Sequence, residues 1–105
     1  MISRIDLFKM MFYTLDDVYD ETKNEELGKF LSSANPFLFE GEGSADPSIY
    51  NEFCKNIISI DEDDYGYDNV FSYLKQVEEG KFVRFFLTKT KSEWIDAFKV
   101  YFSEK

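Results

Sequence analysis

Lys81-Phe82-Val83-Arg84-Phe85-Phe86-Leu87-Thr88 is the stretch on which the fold class of this 105-residue chain turns. Phe82, Arg84 and Phe86 alternate with Val83, Phe85 and Leu87, and aromatic and β-branched side chains suit a pleated strand. A strand needs a partner for its amide and carbonyl groups, and only residues 37–40 or 57–61 offer one. A short buried helix accommodates the same residues equally well. Because the rest of the chain reads as helix, the expected fold is all-α: a single compact domain of four or five helices. A small α+β fold with a short strand at 82–88 is the alternative.

Upstream of this stretch, Phe71, Leu74 and Val77 recur at helical spacing with Val70 beside them. Asp68 is the expected cap of that helix and Gly80 its expected stop. Downstream, Thr90 and Glu93 form a T-x-x-E capping box. It opens a final amphipathic helix marked by Trp94, Ile95, Phe98, Tyr101 and Phe102.

The N-terminal half repeats the pattern. Ser3 is placed to cap a helix over residues 2–20, on which Ile5, Phe8, Phe12, Leu15 and Tyr19 share a face broadened by Leu7, Met11 and Val18. A stripe that wide predicts a central helix touching several neighbours. Thr22 and Glu25 predict a capping box for a second helix, with Leu27, Phe30, Leu31 and Ala34 inward. Asn35-Pro36 ends it, since the residue before proline is pushed out of the helical region. Phe37-Leu38-Phe39 reads as a pinned loop or a short strand, and Gly41-Glu42-Gly43-Ser44 as a flexible turn. Asp46-Pro47 then starts a third helix, with an N-cap oxygen followed by proline at the first helical position. Ile49, Tyr50, Phe53, Cys54, Ile57 and Ile58 lie on its inner face.

Hydrophobic residues make up 44% of the chain and aromatics 19%, enough for a packed core despite 31% charged residues. The net charge of −9 is unevenly spread: residues 40–68 hold nine acidic side chains and one basic. Such a field disfavours nucleic acid and anionic membrane and favours cations or basic protein surfaces. Cys54 is the only cysteine, so no intramolecular disulfide forms within the chain. Its place on an apolar face suggests a small buried hydrophobe. No stretch approaches the ~20 apolar residues that cross a bilayer. No cationic leader followed by a long apolar run opens the chain, so the expected location is cytoplasmic.

The densest part of the acidic zone is Asp61-Glu62-Asp63-Asp64-Tyr65-Gly66-Tyr67-Asp68-Asn69. Asp61, Glu62, Asp63, Asp64, Tyr65 and Tyr67 are the candidate partner-binding residues, with an unidentified protein of basic surface as the partner. Tyr65 and Tyr67 are also suited to anchor a homo-oligomer. From Asp61 the stretch resembles an EF-hand loop, with Asp61, Asp63 and Gly66 at the first, third and sixth positions. Tyr65 and Ser72 stand at the fifth and twelfth, where a carboxylate and a bidentate Glu belong. That resemblance implies a degenerate divalent-cation module over residues 61–72, with calcium held by Asp61, Asp63 and Asp64, as the alternative function.

Enzyme chemistry finds no foothold. The chain has no histidine, which excludes Ser-His and Cys-His nucleophiles and histidine-based zinc sites. Gly41-Glu42-Gly43 lacks the third glycine and the preceding strand of a dinucleotide loop, and every acidic residue reads as surface-placed. Lys81, Arg84, Lys89 and Lys91 interleave with Phe82, Phe85 and Phe86, a pattern that single-stranded nucleic acid uses. Against the overall charge it reads instead as packing or as contacts to the chain's own acids. The expected function is a non-enzymatic, acidic interaction protein, inhibitor-like or immunity-like, acting through the face of residues 40–68.

Overall fold

The computed structural model describes residues 2–38 and 43–102, Leu38 by its backbone alone. Helix α1, Arg4–Thr22, starts where Ser3 accepts the Asp6 N–H at 3.1 Å. Its Leu7, Phe8, Met10, Met11, Phe12, Leu15 and Val18 are all buried. A helix apolar over so much of its circumference must be enclosed. Accordingly α1 packs against α2 (Glu25–Ala34), α3 (Pro47–Asn56), α5 (Val83–Phe86) and α6 (Lys91–Phe102).

The stretch that decides the fold class is helical. Val83–Phe86 forms a single turn, with Phe86 N–H donating to Phe82 O and Leu87 N–H to Val83 O. The described residues contain no strand, so the 82–88 strand is set aside and the fold is all-α, with six helices and two 3-10 turns. The turn wins because Phe82, Phe85 and Phe86 are all buried. A strand would send Phe85 to the opposite face from the other two, whereas one helical turn gathers all three against the core. Phe82 stacks on Phe30 of α2 at 4.8 Å, and Phe86 meets Trp94 edge-on at 5.4 Å.

Several local starts and stops differ from the sequence reading. The Thr22/Glu25 capping box does not form. Thr22 still belongs to α1 and donates its hydroxyl to Val18 O, while Asn24 caps α2 by accepting the Leu27 N–H at 3.0 Å. Between them Lys23 takes the left-handed conformation that ends a helix. The Asp46-Pro47 start holds, with Asp46 accepting from the N–H and the hydroxyl of Ser48. The Thr90/Glu93 box also holds, with Thr90 N–H to Glu93 Oε1 at 2.9 Å and Glu93 N–H to Thr90 Oγ1 at 3.1 Å.

Phe37 lies in a 3-10 turn, Pro36–Leu38, rather than a loop or strand. Residues 39–42, including part of the expected flexible turn, lie outside the described residues; Gly43 and Ser44 are buried, and Ser44 accepts the Tyr50 N–H. Helix α4, Tyr67–Gln76, stops before Gly80. A 3-10 turn, Val77–Gly80, follows, and Glu78, Glu79 and Gly80 all have positive φ. One aromatic-rich core joins all six helices.

Candidate functional site

The loop between α3 and α4 carries the acidic stretch, and its shape is set by three side chains: Arg4, Asn69 and Asp64. Helix α3 ends at Asn56, two residues before the last apolar position that the spacing places on it. Ile57 still turns into the core, but Ile58, expected on the inner face, is 88% exposed. Arg4 at the start of α1 holds the chain in this path: its Nε donates to Ile57 O at 2.8 Å and its Nη2 to Ile58 O at 2.9 Å. Asn69 on α4 clamps the next residues, donating to Ser59 O at 2.8 Å and accepting the Asp61 N–H at 2.9 Å.

Asp64 is the third brace. It is 6% exposed and corrects the expectation that every carboxylate is on the surface. One oxygen accepts the Gly66 N–H at 3.0 Å and the other the Asp68 N–H at 3.1 Å. Asp64 therefore does the capping that the sequence assigned to Asp68, which lies inside the first turn of α4. The exchange follows from a sharp bend in which Tyr65 and Gly66 both take positive φ, 54° and 76°. That bend folds Asp64 back over the helix start, where free N–H groups attract a carboxylate. A Cβ at Gly66 would stand 2.5 Å from Leu7 Cδ1, so the bend is also pressed against α1.

The six candidate partner-binding residues consequently divide. Asp61, Glu62 and Asp63 are exposed; Tyr65 is half-buried; Asp64 and Tyr67 are buried. Tyr65 leans on Phe98, with ring centroids 5.6 Å apart, and Tyr67 lies between Phe86 and Trp94. Burial pushes the Tyr67 phenol above its ordinary range, against the pull of Lys91. Both rings serve the core more than the surface.

Of the residues considered for calcium, Asp61 and Asp63 lie on the surface, where Asp61 Oδ1 accepts the Asp63 N–H at 2.9 Å. Asp64 has both oxygens committed to backbone amides. Among the described residues, no three Asp, Glu or Cys side chains gather in a geometry that could hold a metal ion.

Lys81, Lys89 and Lys91 of the C-terminal third face the chain's own acids. Lys81 meets Glu26 at 3.0 Å and Glu78 at 3.6 Å, and Lys89 meets Asp17 at 3.4 Å. Lys91 lies 3.3 Å from Asp68 and 3.8 Å from Asp64. Its hydrogen bond to Asp68 raises the Lys91 pKa. Arg84 covers the Phe85 ring at 4.4 Å.

Arg4 and Asn69 were not singled out by sequence reasoning, and Ile58 was placed on the wrong side, on the inner face of α3. Cys54, expected to be buried, is half-buried. Among the described residues, no helix is long and apolar enough to cross a membrane. No protein-family model matches this chain, and comparison with curated proteins and with solved structures gave no match.

Proposed function

We propose that this chain is a non-enzymatic protein-interaction module, presenting Ile58 and the carboxylates of Asp61, Glu62 and Asp63 to a basic partner surface. The observation that carries the reading is Ile58. An isoleucine 88% exposed, three to five residues ahead of three exposed carboxylates and with its carbonyl held by a hydrogen bond from Arg4, is an apolar anchor with a charged rim. That is the anatomy of a small interface core. Pinning by Arg4, Asn69 and Asp64 supports it further, because a loop ordered in advance gives up less entropy on binding. One concrete form is an inhibitor or immunity-type protein masking a basic enzyme surface, working in the cytoplasm. Complementary charge makes such association fast and salt-sensitive.

The test is capture of partners from a source lysate at low and high salt, with the parent chain and with an Asp61→Lys/Glu62→Lys/Asp63→Lys variant. A partner retained by the parent at low salt and lost by the variant supports the reading. Identical retention by both contradicts it.

A further inference from the structure

We propose that the groove between α3 and α4 receives a lysine side chain of the partner, a deepening that rests on the reading of a basic partner. The groove encloses about 320 Å³. Its apolar lining comes from Phe30, Ile49, Tyr73 and Val77, and Glu52 and Glu78 line it as well, with no lysine or arginine among the lining residues. A lysine suits this arrangement at both ends. Its four-carbon stem lies along apolar surface while the ammonium stays at the rim, and a compact point charge is readily shared between carboxylates from different elements.

The carboxylates of Glu52 and Glu78 favour a cationic occupant over an apolar one. Glu78 reaches the groove through a costly backbone path, with φ of 45° at Glu78 and 60° at Glu79. Non-glycine residues in that region are uncommon and, where held in place, cluster at ligand clamps. The existing partners of the two acids do not close the groove. Glu52 pairs with Lys55 and Glu78 with Lys81, each at 3.6 Å, and both carboxylates stay more than half exposed. Such exposed pairs are weak and exchangeable.

The groove also shares α3 with the acidic zone, since Ile49 and Glu52 lie on α3 and Ile58 follows its end.

The test is an NMR titration of the full chain with N-acetyl-lysine methylamide, and in parallel with the norleucine counterpart, which keeps the stem and lacks the ammonium. The lysine probe is expected to shift the amides of Ile49, Tyr73 and Val77 saturably, binding roughly tenfold tighter than norleucine. A Glu52→Gln/Glu78→Gln variant, changed only at exposed positions, is expected to keep its melting temperature and to bind both probes alike. Equal binding of the two probes by the parent overturns the proposal. So do shifts no larger at these three amides than at residues 61–63. The reading of Asp61, Glu62 and Asp63 stands or falls separately, on the charge-reversal capture.

Discussion

The indole Nε1–H of Trp94 donates to the main-chain carbonyl of Tyr65 at 2.9 Å, tying the last helix to the acidic loop. Tyr65 is half-buried, whereas Trp94 is almost fully buried. Replacing it with Phe keeps an aromatic ring but removes the donor and some volume. Trp94→Phe is expected to destabilise the fold by about 1–3 kcal/mol. Urea denaturation, with the amide resonances of residues 65–69 followed alongside, measures both the loss and its locus.

Asp64 and Asp68 sit four residues apart and differ in what they hold. Asp64 satisfies two backbone amides from a buried position, whereas Asp68 is exposed and meets Lys91. Asp64→Ala should cost about 1–2 kcal/mol, the usual penalty for losing a helix cap. Asp68→Ala should stay within about 0.5 kcal/mol, as at other exposed sites. Thermal unfolding of the two variants side by side checks the assignment, and equal losses would return the cap to Asp68.

Thr14 is buried on α1, and its hydroxyl is the one buried side-chain oxygen or nitrogen without a hydrogen-bond partner among the described residues. An orphaned hydroxyl costs free energy in the core. Thr14→Val keeps the branched shape and removes the polar atom, so it is expected to stabilise by about 1 kcal/mol. Guanidinium unfolding midpoints at constant m-value give the answer.

How much of this was legible before the coordinates depended on the range of the forces involved. The starts at Ser3, Asp46 and Thr90 were readable because a cap is a local hydrogen bond between residues two or three apart. The width of the α1 stripe likewise announced a central helix. Lys81–Thr88 stayed ambiguous because four to eight apolar residues have too short a period to separate strand from helix, and tertiary packing of Phe82, Phe85 and Phe86 decided it. The candidate site was legible only as charge. Asp61, Glu62 and Asp63 were found. Arg4 and Asn69 were not, since Arg4 acts on carbonyls 53 and 54 residues away and Asn69 on residues eight and ten away. The move of the cap from Asp68 to Asp64 rests on the positive φ of Tyr65, a non-glycine residue in a conformation that sequence rarely signals.

The capping box of α6 has a pH signature. Hydrogen bonds from the Thr90 N–H and then its hydroxyl hold the Glu93 carboxyl below its ordinary value of 4.5. A depressed folded-state pKa contributes stability that is present above the unfolded value and lost as pH falls through the folded one. Glu93→Ala should therefore lower the melting temperature at neutral pH, with the difference from the parent shrinking as pH drops below 4.5. Melting curves between neutral pH and pH 3 test this, and a difference independent of pH would mean that the carboxylate charge contributes nothing.

The central claim is that the loop beginning at Ile58 is the face this protein offers to its partner. The most direct measurement places a photo-crosslinking amino acid at position 58, and separately at exposed Lys29 on α2, in cells of the source organism. The account predicts a discrete adduct from position 58 that is absent from position 29 and disappears when Asp61, Glu62 and Asp63 are reversed to lysine. No adduct from position 58, or the same adduct from both positions, would contradict it.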